Sequence, residues 1–279
     1  MTRRRDHEPA EARPASDTAA LSVQQVTKQF GGLTALDGVE LSVSAGAIHG
    51  IVGPNGSGKT TLFNIATGVY GPSSGEIRCF GERLTRRPAH RVCRLGVART
   101  FQALRLFRSL TVRENIMVAL DRARPRSVWR YLFAPWTFRA REAELRTQAD
   151  ELLANFGLSQ VADFKATNLP YGQQRLVEIA RAMATRPRLL LLDEPAAGLN
   201  STETNDLRRL ITGLRDTGVT VILIEHDMAL VMSLCDVVTV LANGRVLVEG
   251  APEQVTRDPG MIESYLGDAA LLEPEASPA

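Results

Sequence analysis

The sequence has few cysteines, few aromatic residues and almost no excess of charge, and each shortage excludes a class of protein. Of its 279 residues, 5% are aromatic and three are cysteines, and the formal net charge is +2. Cys79, Cys93 and Cys235 lack paired metal-ligand spacing, which fits ordinary thiols in a reducing compartment rather than a disulfide framework. With 44% hydrophobic residues the chain can bury a sizeable core, as one large domain or two subdomains, and is neither disordered nor fibrous.

Long hydrophobic runs are missing too. The longest apolar stretches have the length of a β-strand, far below the roughly 20 residues that a membrane-spanning helix needs. Arg3, Arg4 and Arg5 suggest a twin-arginine export signal, but Asp, His, Glu and Pro follow them in place of an apolar segment. We therefore expect a cytosolic chain that reaches a membrane only through a partner.

The two ends of the chain have compositions that do not favour folding. Residues 1–20 combine four arginines and four acids with Ala and Pro, so they are predicted to be a disordered tail rather than a basic arm. Residues 268–279 are rich in Ala, Glu and Pro and are predicted to be a loose tail. The foldable chain is therefore about residues 21–267, in which we find no internal repeat.

Residues 53–61 read Gly-Pro-Asn-Gly-Ser-Gly-Lys-Thr-Thr and follow the apolar run Ile48–Val52. This is the P-loop pattern: glycines let backbone N–H groups point inward, the lysine reaches the β- and γ-phosphates, and the next threonine can ligate Mg²⁺. Residues 60–66 are expected to form a helix whose N-terminus favours anions. The pattern predicts ATP or GTP binding; no guanine-reading Asn-Lys-x-Asp motif is present, which favours ATP. The predicted nucleotide-binding residues of this loop are Gly53, Pro54, Asn55, Gly56, Ser57, Gly58, Lys59, Thr60 and Thr61.

The second element after the P-loop is the acidic pair Asp193-Glu194, which follows four consecutive leucines at residues 189–192. Such a run fits a strand that is covered on both faces, and Asp193 at its end is the Walker B pattern that holds Mg²⁺ beside Thr60. Glu194 is then the candidate to orient and deprotonate the attacking water. A solvated acidic turn is the alternative, and the P-loop makes it the weaker one.

A third element is Leu-Pro-Tyr-Gly-Gln at residues 169–173, before a helix with Leu176, Ile179, Ala180 and Met183 on one face. With the P-loop before it and the acidic pair after it, this pentapeptide resembles the Leu-Ser-Gly-Gly-Gln signature of ABC-type ATPases. Pro170 replaces the serine and removes two hydrogen-bond donors, and Tyr171 replaces a glycine. Either the site is weakened or this branch of the family tolerates the change.

The other elements of that family are present in order. Gln102, in Thr-Phe-Gln, matches the glutamine that touches Mg²⁺ and water and senses the membrane partner. Asn200, in Ala-Gly-Leu-Asn, stands where the D-loop more often has Asp, and His226 matches the switch histidine that contacts the γ-phosphate. Phe30 matches the ring that stacks on adenine, although an aromatic among Val and Leu is often a core residue.

The resemblance implies an α/β fold of the P-loop NTPase type, with a mixed β-sheet core and an inserted helical subdomain. It covers about residues 21–267, with the core at about 21–101 and 186–267 and the helical subdomain at about 102–185. Strands are expected near residues 21–26, 41–43 and 48–52 and before Asp193 and His226. Asn243-Gly244 between two apolar runs predicts a β-hairpin.

The resemblance also implies partners. In this family the signature loop, here Tyr171, Gly172 and Gln173, caps the nucleotide held by the P-loop of a second subunit. The chain is therefore expected to pair with itself or with a paralogous ATPase subunit, and to use ATP and Mg²⁺. It implies a peripheral place on the cytoplasmic face of the cell membrane, through permease subunits and indirectly a substrate-binding protein.

The motif around Tyr171, with Pro-Ala-Ala-Gly-Leu-Asn and Glu-His-Asp-Met, is similar to ATPases of branched-chain (hydrophobic) amino-acid uptake. Urea or amide uptake and lipopolysaccharide export use similar subunits, and no residue here encodes the substrate. A soluble ABC-type ATPase acting on nucleic acid or ribosomes is the contrasting class. Such proteins usually carry two cassettes or long coiled-coil or zinc insertions, which are missing here, so no nucleic-acid partner is expected.

Residues 121–146 carry seven arginines and three acids, together with both tryptophans of the chain. This basic aromatic segment is compatible with nucleic acid, anionic headgroups or a protein partner. The plainer interpretation is that the aromatic rings pack on the helical subdomain and the arginines form a solvated face. We hypothesise that Arg126, Arg130 and Arg139 contact the membrane subunit or the inner leaflet. Leu145, Ala149, Leu152, Leu153 and Phe156 are expected to form a buried helical stripe.

Overall fold

A computed structural model describes residues 19–121, 135–261 and 263, with side chains from residue 140 in the second range. Its strands are β1 Ala19–Phe30, β2 Leu33–Ser44, β3 Ile48–Val52, β4 Ser74–Cys79, β5 Glu82–Arg83, β6 Val97–Arg99, β7 Leu189–Asp193, β8 Thr220–Ile224, β9 Val237–Ala242 and β10 Arg245–Gly250. Its helices are α1 Lys59–Ala66, α2 Ala89–Arg94, α3 Val112–Leu120, α4 Pro135–Asn155, α5 Tyr171–Met183, α6 Ser201–Asp216, α7 Met228–Leu234 and α8 Pro252–Val255.

The central sheet has the strand order β10-β9-β3-β8-β7-β6. All neighbours are parallel except β10, which pairs antiparallel with β9. Every residue of β3, β7 and β8 is buried, because helices cover one face and a second sheet covers the other. Parallel strands end at one edge, so the segments after these three strands meet there.

The second sheet is antiparallel, with the order β2-β1-β4-β5. Its strands are longer than the sequence predicts: β1 begins at Ala19, inside the tail predicted as disordered, because Ala19 and Ala20 are buried and Ala19 pairs with Ser44. Helix α1 is buried between the two sheets through Leu62, Phe63 and Ile65. The P-loop helix is therefore held on both sides by apolar contacts.

Strands β9 and β10 form the predicted hairpin. Asn243 and Gly244 have φ angles of 48° and 76°, which is the pair of positive values that a type I′ turn requires. The amide of Gly244 donates to the carbonyl of Ser57 at 3.0 Å, so the hairpin turn also supports the P-loop.

Helices α3, α4 and α5 lie between Gln102 and Thr185 in the chain. The predicted stripe on α4 is buried at Leu145, Ala149 and Leu153. Ala149 and Leu153 share one hydrophobic cluster with Val177 of α5 and Leu190 of the central sheet. Among the described residues, no helix is long and apolar enough to cross a membrane. Trp129, Arg126 and Arg130 of the basic aromatic segment lie outside the residues that the structure describes, and the side chains of Trp136 and Arg139, at the start of α4, lie outside it as well.

Candidate nucleotide site

The P-loop occupies the turn between β3 and α1, where close backbone approaches fix its shape. Gly53 has φ 145°, and a Cβ there would lie 2.0 Å from the carbonyl oxygen of Leu241. Gly58 has φ 106°, and a Cβ there would lie 2.6 Å from the carbonyl oxygen of Ala35. Both positions therefore require glycine on two grounds, conformation and space.

The lysine of the loop is folded over it. Lys59 Nζ donates to the carbonyl oxygens of Gly53 at 2.6 Å and Pro54 at 2.7 Å, and its side chain is buried. Asn55, Gly56 and Thr60 are exposed, Pro54 and Thr61 are half-buried, and Ser57 is buried. The ammonium thus lies where the helix N-terminus and the loop amides favour an anion.

Glu194 is held between two of the other predicted catalytic residues. Gln102 Nε2 donates to Glu194 Oε2 at 2.9 Å, and His226 Nε2 lies 2.9 Å from Glu194 Oε1. Glu194 has φ 48°, a left-handed conformation that is uncommon for a residue with a side chain and concentrates at functional sites. The structure therefore brings Gln102, Glu194 and His226 together across three separate chain segments.

Asp193 has a partner that sequence reasoning missed. Arg99 Nη2 donates to Asp193 Oδ2 at 2.7 Å, and both side chains are almost fully buried. Arg99 Nη1 also donates to Asn64 Oδ1 of α1 at 2.7 Å. The buried arginine thus joins the P-loop helix to the strand that ends in the acidic pair. The sequence feature that could have drawn attention to Arg99 is its position three residues before Gln102.

Glu225 was missed as well. Its carboxylate is buried and accepts from the amides of Ala196 at 2.7 Å and His226 at 3.1 Å. Burial raises the pKa of Glu225 above its usual range, and the negative charge of Glu194 acts in the same direction. Asp227 caps α7 by accepting from the amide of Ala229 at 2.9 Å. The predicted switch residue His226 therefore lies between two acidic residues, Glu225 and Asp227, whose side chains accept from backbone amides.

Phe30, the candidate adenine platform, is 45% exposed at the end of β1. The Phe30 ring meets the ring of Tyr70 edge-on at 5.4 Å, and Lys28 Nζ lies 4.9 Å from the centre of each ring. An exposed ring is compatible with stacking on a base and does not fit the alternative of a core residue.

The predicted signature residues form the first turn of α5. Tyr171 is 42% exposed, while a Cβ at Gly172 would lie 2.4 Å from Glu203 Oε1 of α6. Gly172 thus makes its close approach to a side chain of its own chain. Asn200 caps α6: its Oδ1 accepts from the amide of Glu203 at 3.0 Å, and Glu203 Oε2 accepts from the amide of Asn200.

The sequence matches the family model described as ABC transporter over residues 36–197. It is 48% identical over 250 residues to the high-affinity branched-chain amino acid transport ATP-binding protein BraF of Pseudomonas aeruginosa, covering 89% of this chain and 98% of that protein.

Two solved structures have the same fold. The ADP conformation of MJ1267, an ATP-binding cassette of an ABC transporter, superposes with a TM-score of 0.79 and 32% identity, covering 89% of this chain and 99% of that one. The dimeric post-hydrolysis state of the cassette MJ0796, bound to ADP and phosphate, gives 0.71 and 27%, covering 83% and 98%. The chain is an ATP-binding cassette ATPase of the ABC transporter family.

Proposed function

We propose that this ATPase powers an importer of branched-chain or other hydrophobic amino acids from the cytoplasmic face of the cell membrane. The observation that carries the proposal is the Glu194 carboxylate held between Gln102 and His226, at 2.9 Å from each. The 48% identity to BraF supports the substrate class, since that protein is named for branched-chain amino acid transport.

ATP is proposed to lie on the P-loop, with adenine on Phe30. Lys59 would exchange the carbonyl oxygens of Gly53 and Pro54 for phosphate oxygens, which are stronger acceptors because they carry charge. The amides at the start of α1 would face the same phosphates. The exposed Asn55, Gly56 and Thr60 are the loop residues that a nucleotide can reach first.

Mg²⁺ is proposed to be held by Thr60, Asp193 and Gln102. A hydroxyl, a carboxylate and an amide supply hard oxygen donors, which suit this ion. No group of three or more His, Cys, Asp and Glu suited to a metal occurs in the described part of the chain, so phosphate and water would complete the shell. The ion would neutralise charge on the transferring phosphoryl group.

Glu194 is proposed as the general base. Water attacks the γ-phosphorus, the proton of that water goes to the Glu194 carboxylate, and the bond from the γ-phosphorus to the β–γ bridging oxygen breaks to give ADP and phosphate. Gln102 and His226 hold the carboxylate from two sides, which fixes the direction from which it accepts the proton.

A second ATPase subunit, identical or paralogous, is proposed to complete the site. The first turn of α5 presents Tyr171, Gly172 and Gln173, and its N-terminal amides suit the phosphates of a nucleotide on the partner's P-loop. The cassette MJ0796, which is dimeric with ADP and phosphate bound, supports the pairing of two ATPase subunits.

A groove of about 460 Å³ between α2, α3 and α5 is proposed to receive the permease. Its wall is mostly apolar, and Phe107 and Val118 are 46% and 47% exposed at its edge. An exposed apolar patch with a charged rim is typical of a protein-binding site. Phe101 also lines the groove and directly precedes Gln102, so an occupant would lie next to the nucleotide site.

The partner class can be tested by affinity purification of Glu194→Gln with ATP from gently solubilised membranes. We expect multi-span permeases, with or without a second ATPase, to be recovered and identified by mass spectrometry. Lys59→Ala, which should not retain ATP productively, is the matched control. Recovery of ribosomal or nucleic-acid proteins without a permease would move the chain to the soluble class.

The substrate can be tested by uptake in cells that carry Lys59→Ala. Removing the ammonium removes the positive charge that would face the β- and γ-phosphates, so uptake of labelled leucine through this system should fall to background. Urea uptake and the export of lipopolysaccharide are the comparison assays. Normal leucine uptake with loss of either of these would replace the amino-acid assignment.

A further inference from the structure

Arg175 is the largest fully buried side chain in the described structure, and it contacts two functional segments at once. Its guanidinium donates to the carbonyl oxygens of Phe101 at 2.9 Å and Gln102 at 3.1 Å. It also donates to Tyr171 Oη at 2.8 Å. One buried arginine thus touches the Gln102 loop, defined as residues 101–107, and the first residue of the signature helix α5.

Glu178 contacts the same loop from the next turn of α5. It accepts from Arg175 Nη1 at 2.9 Å and makes longer contacts with the amides of Phe101 at 3.5 Å and Arg105 at 3.4 Å. Arg175 therefore donates to carbonyl oxygens of the Gln102 loop, and Glu178 accepts from amides of the same loop. Glu178 also lines the groove proposed for the permease, as do Phe101 and Arg105.

Tyr171 extends this set of contacts to a third segment. A Cβ at Gly198 would lie 3.2 Å from Tyr171 Cε1, so the ring packs against the turn that leads to α6. The tyrosine that replaces the usual glycine of the signature thus has two roles that a glycine lacks: its hydroxyl accepts from Arg175, and its ring contacts Gly198.

Stability alone does not account for a buried ion pair of this kind. Removing two charges from water costs several kcal/mol, and apolar replacements of similar volume are often neutral or stabilising. Burial raises the pKa of Glu178, which is the sign of that cost. The planar guanidinium fork instead fixes the direction of several acceptors at once, which suits a device that sets geometry.

We propose that Arg175 and Glu178 are positioning residues that link the permease groove, the Gln102 loop and the signature loop within one subunit. An occupant of the groove that displaces Phe101 or Arg105 would then move Gln102 relative to Glu194, and α5 with Tyr171, as one unit. This inference rests on the proposed function, and adds a route by which the membrane partner reaches both nucleotide-facing loops.

The test is the double variant Arg175→Met/Glu178→Leu of the full chain. Both side chains become apolar at similar volume, while the carbonyls of Phe101 and Gln102 each lose a donor, so the melting temperature should fall but the chain should stay folded at the assay temperature. ATP affinity measured without Mg²⁺ should change less than twofold, because Phe30 and the P-loop are untouched and the proposed Mg²⁺ contact of Gln102 is then not involved. The kcat for ATP hydrolysis should fall about tenfold or more, since small misplacements of reacting groups can cost ~100-fold.

The matched control is Asp206→Asn/Arg209→Gln, which removes an exposed ion pair of the same spacing on α6. It should leave kcat and affinity unchanged. A double variant with wild-type kcat would overturn the inference while leaving the proposed function intact. A wild type that neither binds nor hydrolyses ATP would overturn both.

If the double variant does not fold, Glu178→Gln tests the same link. The amide keeps the size and one acceptor oxygen but loses the charge that holds Arg175. Hydrogen exchange of the amides of Phe101 and Arg105 should then speed up, and kcat should fall with the KM for ATP unchanged. An unchanged exchange rate and an unchanged kcat would contradict the inference.

Discussion

The P-loop and the Gln102 loop, which we propose to serve the same nucleotide site, are held in different ways. Backbone contacts fix the P-loop: Gly53 and Gly58 lie so close to the carbonyls of Leu241 and Ala35 that no side chain fits. Side chains of a neighbouring helix hold the Gln102 loop, through Arg175 and Glu178. The first arrangement suits a rigid cradle, and the second suits a loop whose position can respond to a partner.

The largest effect on stability and ATP affinity should come from placing a methyl group in the P-loop. Gly53→Ala puts a Cβ 2.0 Å from the Leu241 carbonyl oxygen, so the strand end and loop must separate. We expect a loss of more than about 3 kcal/mol of unfolding free energy and at least a hundredfold loss of ATP affinity.

The control is Gly56→Ala, where φ is 77° but nothing lies within 4 Å of the added Cβ. Only conformational strain of about 1–2 kcal/mol is expected there. Thermal melts and ATP titration of both variants measure the difference. Equal losses would mean that close approach does not define the loop.

The second effect is a pH dependence of the unfolding free energy, which comes from His49 in the central sheet. Burial lowers the pKa of His49 on β3 from 6.5 to about 4, with Nε2 2.7 Å from Thr239 Oγ1. The unfolded chain binds this proton below about pH 6.5 and the folded chain only near pH 4. Stability should therefore be lost as the pH falls from 6.5 towards 4, by about 2 kcal/mol at pH 5.

His49→Gln should remove this part of the acid sensitivity, because the amide does not titrate. His90→Gln, at an exposed position on α2, is the matched control. Urea unfolding at pH 7.5 and pH 5 gives the two free energies for each variant. If His49→Gln loses as much unfolding free energy between pH 7.5 and pH 5 as the wild type does, other groups cause the acid sensitivity.

The smallest effect concerns the turn beside Tyr171. Asn200→Ala removes the cap of α6 and should cost about 1 kcal/mol in unfolding free energy. Asn200→Asp restores the residue more usual in the family, keeps the acceptor and should be neutral or slightly stabilising at a helix N-terminus. Melting temperatures of the two variants check the order; a destabilising Asp would show that the amide group has another role.

The P-loop and the β9–β10 hairpin could be predicted from sequence in detail, because their sequence signals are local. A glycine-rich string after a buried strand predicts the P-loop, and Asn-Gly between apolar runs predicts the β9–β10 hairpin, which the structure confirms. The sequence predicts a tail over residues 1–20 and a strand near residues 21–26, whereas β1 begins at Ala19. Two alanines carry little strand preference, and pairing with β2 buries them.

The contacts of Arg99 and of Arg175 were harder to predict, because they join residues that are far apart in the chain. Arg99 and Asp193 are 94 positions apart, and Arg175 is 74 positions from Phe101. Arginine is usually a surface residue, so nothing local marks these two as buried. Likewise, only the fold decided that Phe30 is exposed rather than packed in the core.

Glu194→Gln tests whether Glu194, held between Gln102 and His226, is the general base. The amide is isosteric and can keep its contacts with Gln102 and His226, but it cannot accept the proton of water. We expect unchanged ATP affinity and hydrolysis slowed ~10²–10⁴-fold in single-turnover assays, with the exposed Glu151→Gln as control. Hydrolysis within about threefold of the wild type would show that Glu194 is not the general base and that another group prepares the water.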